Sequence, residues 1–474
     1  MKWGLWAGKD GAFTGPWRAG NAMTVEIKDE HIERVKGLLE RRDREAVDRL
    51  LSGLHASDIG RMFAGLDEEE ALELFKLLTS VMASEVLLEL DERLRKRLLE
   101  SIHPEKLIDV VDKMETDDAA DIISELPEEH AEQVLEGIER EDSIEVQKLL
   151  AYPEDTAGGK MQAELVKVRE DATVKGTIEE VRKKSKDIEQ ISNVFVVDSA
   201  GRLTGVVSLD KLIIALPEQR IVDIADRVPH RVTTDVDQEE VARLFERYDL
   251  LSLPVVDSGN RLVGRITVDD VVDVIEEEIF EDFYRMAGVN KEERALDPVR
   301  RSMWMRFPWL LVNLGTAFVA ASVVKVFQGT IEKYVLLAVL MPIVAGMGGN
   351  AGTQTITVVV RGLALGEFKI NSAKRILLKE ASVGLANGFL LGLAATVIAY
   401  LLGATPVVGL LLFLAMTANL AIAGLSGALI PLVLKWLKVD PAISSGIFVT
   451  TCTDIGGFLT FLGLATVFMR MGFL

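Results

Sequence analysis

The chain has 474 residues and a net charge of −20, which is enough length for several domains. Residues 1–290 carry 38 basic and 65 acidic side chains, whereas residues 291–474 carry 15 and 8. Such an acidic surface attracts cations and repels nucleic acid, which excludes a nucleic-acid partner. The single cysteine, Cys452, excludes an internal disulfide and a cysteine-rich metal site. We find no P-loop, zinc-protease motif or nucleophile elbow, so we do not expect an enzyme.

The first 150 residues are predicted to be helical after a short extension. Residues 1–22 are rich in Gly and Trp and fit no regular element, so we expect disorder there and place the natural start at Met23. Residues 23–150 show apolar side chains at the 3.6-residue helical period, interrupted by short polar turns. Several of these segments resemble one another, which predicts an acidic, all-α, superhelical array of helix pairs.

Residues 151–273 contain an internal repeat, VFVVDSAGRLTGVVSLDKL and LPVVDSGNRLVGRITVDDV, in which Val196 aligns with Val255 at an offset of 59 residues. Each copy predicts a strand, an Asp-containing turn, a second strand and a helix start. The repeat resembles a tandem pair of CBS domains, an α/β module whose cleft binds ATP or another adenine nucleotide in that family. The Asp that begins the helix after the second strand is Asp270 in the second copy, whereas Lys211 takes its place in the first.

From Asp269 onward a helix is predicted through DDVVDVIEEEIFEDFYRMAGV, which is dense with carboxylates, and residues 274–300 are assigned to the connecting helix. Residues 301–474 are the predicted membrane part, because they contain five apolar segments that are each long enough to cross a bilayer. The five predicted spans are 305–327, 334–362, 376–403, 406–434 and 443–469. Basic residues cluster before the first span and in the second and fourth loops. By the positive-inside rule, the N-terminal domains are cytosolic and the C-terminus faces outside.

Asp454 lies in the middle of the fifth span and is the one charge between Ile443 and Phe468. A charge at that depth is costly unless water, a partner or an ion compensates it, so we interpret Asp454 as an ion-pathway carboxylate. Thr450 and Thr451 share its helical face and add two hydroxyls. The alternative interpretation is a buried, protonated Asp that only links helices.

The second span contains PIVAGMGGNAGTQTITVVVRG, in which Asn350, Gln354 and Thr357 form a polar stripe. Its glycines permit close backbone approach or exposed carbonyls along a cavity. Small residues in membrane helices also serve packing, so packing and pore lining both stay open for the glycines. We count Asn350 and Gln354 as candidate pore residues together with Asp454.

The domain order and two membrane motifs, GGNAGTQ in the second span and TTCTD in the fifth, resemble the MgtE family of bacterial magnesium channels. The resemblance covers residues 26–474. It implies a homodimer in the bacterial inner membrane, with a Mg²⁺ pore at the subunit interface that cytosolic Mg²⁺ closes. Ile447 stands where the family often has a proline before the Asp motif.

The same resemblance implies a set of carboxylate ligands for regulatory Mg²⁺. In the helical domain and the CBS pair they are Glu85, Asp117, Asp121, Asp237, Glu239, Asp249, Asp270, Asp273 and Glu278. On the connecting helix and the membrane loop facing it they are Glu281, Asp282 and Asp440. Independently of the family, such carboxylates repel one another without divalent ions. Millimolar Mg²⁺ would bridge them and favour a compact, closed state.

Two other functions fit parts of the sequence. An ion-coupled carrier would exchange Mg²⁺ with protons or Na⁺ and change the protonation of Asp454, although we see no inverted repeat or paired broken helices. A membrane-anchored nucleotide sensor would use its spans as passive anchors, which the polar stripes on two spans disfavour. Mn²⁺, Co²⁺ and Ca²⁺ also use oxygen ligands, so charge alone does not select Mg²⁺.

Overall fold

The structure is a computed structural model that describes residues 29–474 apart from 42, 52, 187, 189, 228–229, 296, 369–371 and 444. The predicted disorder of residues 1–22 therefore lies outside the described residues. The chain divides into two compact units, Met1–Val274 and Ile275–Leu474.

The first unit begins with the predicted array of short helices. Polar caps separate them: Asp67 and Glu70 form a reciprocal capping box at the start of α4, and Asp91 caps α6. Apolar side chains at helical spacing, such as Phe63 and Phe75, are fully buried between the helices. The described helices are α1 (Asp29–Glu40), α2 (Arg44–Leu51), α3 (Ala56–Phe63), α4 (Glu68–Leu77), α5 (Ser80–Leu88), α6 (Glu92–Ser101), α7 (Pro104–Val111), α8 (Thr116–Ser124), α9 (Glu128–Gly137) and α10 (Arg140–Leu149).

The internal repeat folds into two matching three-stranded sheets. In each sheet the first strand pairs parallel with the second, which pairs antiparallel with the third. The first copy contains β1 (Lys167–Arg169), α11 (Val174–Lys184), β2 (Asn193–Val197), β3 (Leu203–Ser208), α12 (Leu209–Ile214) and α13 (Ile221–Ile224). The second contains β4 (Val232–Thr233), α14 (Gln238–Tyr248), β5 (Ser252–Val256) and β6 (Leu262–Thr267), and leads into α15 (Val268–Ala287).

The two copies contact each other through equivalent residues. The N–H of Leu203 donates to the carbonyl of Asn260 at 3.0 Å, and the N–H of Leu262 donates to the carbonyl of Gly201 at 3.1 Å. Each donor and each acceptor is 59 positions from its counterpart, so one hydrogen bond is repeated in both directions. The predicted repeat, with its strand–turn–strand pattern, is therefore confirmed as a pseudo-symmetric pair.

The second CBS copy shares one continuous hydrophobic core with the helical domain. Leu253, Val255 and Ile266 of its sheet belong to the same buried cluster as Phe63 and Phe75 of the helices. Burial of apolar surface is the dominant favourable term in such contacts. The helical domain and the CBS pair thus form one folded unit in this structure.

The predicted connecting helix is shorter than 274–300. Helix α15 ends at Ala287, and Gly288 follows with φ +70°, a left-handed conformation that glycine adopts without strain. The chain then turns until the first long apolar helix begins at Val299. Asp297 and Pro298 stand immediately before that helix start, where proline is well tolerated.

The second unit contains five described helices that are long and apolar enough to cross a membrane. They confirm the five predicted spans, with ends that differ by up to six residues at Val299 and by three or fewer elsewhere. A stripe of glycines at every fourth position of the third span lies directly against the backbone of the fourth, which lets the two helices approach closely. The helices are α16 (Val299–Val326), α17 (Gln328–Lys333), a short non-spanning helix, α18 (Leu336–Ala364), α19 (Ala373–Leu401), α20 (Pro406–Trp436) and α21 (Ser445–Arg470).

Candidate functional site

Asp454 lies in the middle of α21, and its side chain is half-buried in a single chain. The hydroxyl of Thr450 donates to the carbonyl of Gly446 at 2.9 Å, and that of Thr451 donates to Ile447 at 2.7 Å. The hydroxyl protons are therefore directed to the helix backbone, and the oxygens stay available as acceptors for a cation or water. Helix α21 runs unbroken through Ile447.

Asn350 and Gln354 lie one turn apart on α18 and are exposed in a single chain. The face of α18 that packs on α21 is a different one. A Cβ at Gly348 would lie 3.2 Å from Cβ of Thr453, and one at Gly352 would overlap Val449. Each amide follows one of these glycines by two residues, which is a rotation of about 200° around the helix axis. Asn350 and Gln354 therefore point away from the face of α18 that packs on α21. One chain therefore does not bring the two amides together with Asp454.

A second group of polar residues is buried where the helical domain meets the CBS pair. Glu164 accepts hydrogen bonds from the N–H of Thr116 at 3.1 Å and from its hydroxyl at 2.8 Å. Gln162 donates to Glu115 at 2.9 Å, and Asp117 is 8% exposed. We call this group the acidic cluster; its carboxylates are Glu115, Asp117, Asp118, Glu164 and Asp270.

The carboxylates of the acidic cluster resist ionisation. Burial, followed by repulsion from Glu164, raises the pKa of Glu115 to about 7. Burial and then Asp270 raise the pKa of Asp118 to about 7 and that of Asp117 well above its usual range. The pKa of Asp270 is raised mainly by burial, although Thr267 lowers it by donating its hydroxyl to Oδ2 at 2.5 Å. The fold therefore holds carboxylates together at an energetic cost that a cation would offset.

Arg265 supplies a positive charge within the acidic cluster. It is 2% exposed, and its guanidinium donates to the carbonyl of Gln190 at 2.5 Å and to Oε1 of Gln162 at 2.6 Å. Its Nε and the Oε1 of Glu115 are buried without a hydrogen-bond partner among the described residues. Arg265 and Gln162 thus form a polar bridge from the second CBS copy towards Glu115.

Five further predicted ligands of the first unit lie on α5, on α8 and at the two ends of α14. Glu85 is exposed on α5 and Asp121 is exposed on α8. Asp237 caps α14 by accepting from the N–H of Glu239 at 2.9 Å, and Glu239 also pairs with Arg243 at 2.7 Å. Asp249 ends the same helix in the left-handed conformation, with φ +50°. Asp237 and Asp249 therefore have structural roles at the two ends of α14, whatever else they bind.

In the second unit, an arginine joins two of the predicted ligands. Arg285 forms ion pairs with both Glu281 and Asp440, and Lys291 pairs with Glu281 at 2.9 Å. The side chain of Glu281 is 11% exposed, so these charges are partly screened from water. Asp282 and Glu278 are half-buried on the same helix, whereas Asp273, on the part of α15 in the first unit, is exposed.

Among the described residues, no three His, Cys, Asp or Glu side chains are grouped closely enough to hold a metal ion directly. Mg²⁺ usually keeps several of its waters and uses one or two carboxylates in proteins. The carboxylates described above therefore suit hydrated ions rather than a closed cage of protein ligands.

Sequence reasoning missed Arg265, Gln162, Glu115, Asp118, Glu164 and Arg285. A signal for Arg265 was present, because the repeat aligns it with Val206 of the first copy and thus places a charge in a buried strand. Glu115 and Glu164 become close only through the packing of distant segments, which a repeat or a helical period does not report.

Comparison with known family models finds matches in three parts of the chain. A family model described as a divalent cation transporter matches residues 341–464, the MgtE intracellular N domain matches 54–155, and the CBS domain matches 158–218 and 221–277. The chain is 33% identical over 444 residues to the magnesium transporter MgtE of Bacillus subtilis, covering 93% of this chain and 98% of that one. The chain belongs to the MgtE family of magnesium transporters.

A second relative agrees with this assignment. The magnesium transporter MgtE of Thermus thermophilus is 39% identical over 333 residues, or 69% of this chain and 73% of that one. A crystal structure of the cytosolic domain of the Mg²⁺ channel MgtE in complex with ATP is 36% identical, covers 51% of this chain and 99% of that chain, and has a TM-score of 0.49. The predicted family, the CBS pair and the five-span architecture are confirmed. Membership in the family makes the chain a multi-pass membrane protein of magnesium transport with a cytosolic N-terminal domain.

Proposed function

We propose that the chain forms a homodimeric Mg²⁺ channel of the bacterial inner membrane that admits Mg²⁺ to the cytosol and closes when cytosolic Mg²⁺ rises. The N-terminal domains are cytosolic and the C-terminus faces outside. The observation that carries the proposal is a set of polar side chains that one chain leaves uncovered on two membrane spans. Asn350, Gln354 and Thr450 are exposed there, and Asp454 is half-buried.

These uncovered polar side chains support the proposal that a second copy of the chain packs against them. Amide and carboxylate groups that face lipid lose their hydrogen bonds to water, at a cost of several kcal/mol for each unsatisfied group. A second copy packed on these faces would replace lipid by a water-filled path lined with polar groups. Two Asp454 carboxylates, one from each copy, would then stand around one ion.

The chemistry of such a path suits Mg²⁺ as the transported ion. Mg²⁺ prefers octahedral oxygen ligands and gives up its waters reluctantly. Two carboxylates and a few hydroxyl or amide oxygens hold a hydrated ion without enclosing it. Conduction requires that the ion also leaves, so this open arrangement is more favourable than a complete protein cage.

The acidic cluster supports closure by cytosolic Mg²⁺. Its carboxylates have raised pKa values because burial and mutual repulsion disfavour their charged forms. An ion bound in the cluster would offset this repulsion and stabilise the contact between the helical domain and the CBS pair. Because such an ion binds the compact state better than the open one, several weak sites together shift the equilibrium steeply.

The connecting helix would carry this closure to the pore. Glu281 and Asp440 lie on α15 and on the loop before α21, and Arg285 holds them together. Additional Mg²⁺ at these carboxylates and at Asp282 would strengthen the same contact. Helix α21, which carries Asp454, begins five residues after Asp440.

We also propose that the CBS pair binds an adenine nucleotide, ATP or another, near Asp270. The support is the match of both copies to the CBS domain and the placement of Asp270 at the helix start after β6. Titration of purified protein with a fluorescent ATP analogue tests this proposal. We expect saturable binding that Asp270→Ala weakens. Binding that is absent, or the same in Asp270→Ala, would contradict it.

Radioactive or dye-reported Mg²⁺ flux into proteoliposomes tests the ion pathway. Asp454→Asn should lose most of the flux while the protein stays folded and dimeric by size-exclusion chromatography. Glu332→Gln is the matched control, because it removes a carboxylate that is exposed outside the spans. Full flux in Asp454→Asn would remove this residue from the pathway. Slow flux that follows an imposed proton gradient would instead favour the ion-coupled carrier.

A further inference from the structure

Asn419 is a polar residue in the middle of the fourth span that is 0% exposed. Its Nδ2 donates to the carbonyl of Val344 on α18 at 2.8 Å. This contact fixes the orientation of the amide, because a backbone carbonyl can only accept. Its Oδ1 is buried and has no hydrogen-bond partner among the described residues. An unsatisfied acceptor is costly in a membrane protein, so an apolar side chain of similar shape would serve simple packing better.

The side chain of Asn419 fits between two helices because each has a glycine at the contact. A Cβ at Gly348 of α18 would overlap Nδ2, and a Cβ at Gly457 of α21 would lie 2.8 Å from the same atom. Real Cβ atoms do not come this close to a neighbouring side chain. Asn419 therefore occupies the space that both glycines leave free, and it contacts the second and fifth spans at once.

This three-helix contact lies beside Asp454. A Cβ on Gly348 would lie 3.2 Å from Cβ of Thr453, the residue before Asp454. Gly457 follows Asp454 by three positions, or almost one helical turn. A group that sets the spacing of α18 and α21 at this level therefore also sets where Asp454 stands.

We propose that Asn419 is a positioning residue for ion conduction: its amide holds α18 at a defined rotation and distance from α21 and thereby places Asp454. The inference rests on the proposed pore role of Asp454. A hydrogen bond adds direction that apolar packing lacks, because it weakens steeply when the donor angle changes. Its contribution to stability in a membrane is modest, so its loss should change ion handling more than folding.

The first test is Asn419→Leu, which keeps a similar volume and removes the amide. In proteoliposomes with equal amounts of folded dimer, we expect the half-saturating Mg²⁺ concentration to rise roughly tenfold. The reason is that a small misplacement of a functional group has a large effect on what it binds. We also expect the ratio of Mg²⁺ flux to Mn²⁺ flux to fall. A lower maximal flux with an unchanged half-saturating concentration and an unchanged ratio would overturn the proposal and leave a purely structural role.

The second test exchanges volume between the two sides of the contact. Gly348→Ala alone should lose flux, because the new Cβ overlaps the amide, whereas Gly348→Ala combined with Asn419→Ala should regain maximal flux with a raised half-saturating concentration. Gly315→Ala in the first span is the control, since nothing lies within 4 Å of a Cβ there. Gly348→Ala and the double variant also test the proposal if Asn419→Leu does not fold. A double variant with no recovered flux, or with the wild-type half-saturating concentration, would overturn the inference.

Asp454→Asn in the same assay separates this inference from the proposed function. If Asp454→Asn abolishes flux while Asn419→Leu has the wild-type half-saturating concentration and flux ratio, the positioning inference alone fails. If Asp454→Asn conducts normally, the proposed pore role fails, and the positioning of Asp454 by Asn419 fails with it.

Discussion

Replacing Arg265 by Met should loosen the contact between the helical domain and the CBS pair in Mg²⁺-free buffer. The change removes the charge and two hydrogen bonds of a side chain that is 2% exposed, and it leaves the acidic cluster without this cation. Removing one partner of a buried charge pair costs about 3–5 kcal/mol. Glu115 and Asp118, whose pKa values are about 7, can take up protons and offset part of this cost. We therefore expect the contact between the helical domain and the CBS pair to lose about 3 kcal/mol of stability near pH 7.

Hydrogen exchange of the full-length protein, followed by mass spectrometry, measures this effect. A loss of about 3 kcal/mol speeds exchange through local opening roughly a hundredfold. We expect this for segments 112–124 and 160–167, which contain most of the acidic cluster. If the dissociation constant for Mg²⁺ is millimolar, a Mg²⁺ concentration about ten times higher should restore about 1.4 kcal/mol of the stability of the contact. Exchange should then slow about tenfold. Arg261→Met is the matched control, because Arg261 is exposed four residues earlier in the same hairpin.

Two results would contradict this role of Arg265 and the acidic cluster. Exchange of both segments that is unchanged in Arg265→Met would show that the arginine does not stabilise the contact. Faster exchange that Mg²⁺ does not slow would show that the acidic cluster does not bind the ion, although Arg265 supports the fold.

Three further predictions concern closure. Neutralising four carboxylates together, Asp270, Asp273, Glu278 and Glu281, should leave flux high at millimolar cytosolic Mg²⁺; normal closure would contradict the regulatory role. Arg285→Gln should raise flux in the absence of Mg²⁺ and make closure depend more strongly on it, because the arginine no longer joins the two carboxylates; flux with an unaltered Mg²⁺ response would count against this. The acidic cluster should also respond to pH. Its carboxyl pKa values are raised, so their repulsion is present above about pH 7 and is relieved as pH falls towards their ordinary values of 3.8 and 4.5. In Mg²⁺-free buffer, segment 112–124 should be better protected from exchange at pH 6 than at pH 8, after correction for intrinsic rates, and equal protection would argue against it.

The fold was largely predictable because its signals are local or repetitive. The helical domain follows from a 3.6-residue period, the CBS pair from two copies 59 residues apart, and the spans from long apolar runs. The end of the connecting helix was harder to predict from the sequence. Nothing in the carboxylate-rich pattern indicates that the helix ends at Ala287, except for Gly288, whose left-handed conformation is a common helix ending.

The candidate site was predictable where a residue conflicts with its local surroundings. Asp454 stands out as a lone charge in an apolar span, and its functional interpretation follows from that cost alone. Asp237 fits two interpretations, because an Asp before Gln-Glu-Glu is also a helix-capping pattern, and the structure shows this cap. The roles of Arg265 and Asn419 depend on residues from distant segments, so the sequence pattern around each does not reveal them.

Single-channel recording of the purified protein in a lipid bilayer distinguishes a channel that cytosolic Mg²⁺ closes from an ion-coupled carrier. Mg²⁺ on the cytosolic side is stepped from zero to about 10 mM, a range that spans millimolar sites. We predict discrete openings at zero cytosolic Mg²⁺ that disappear as its concentration rises, and no openings in Asp454→Asn. The absence of unitary currents under all conditions, together with slow Mg²⁺ flux that follows a proton gradient, would show that the protein is a carrier and not a channel.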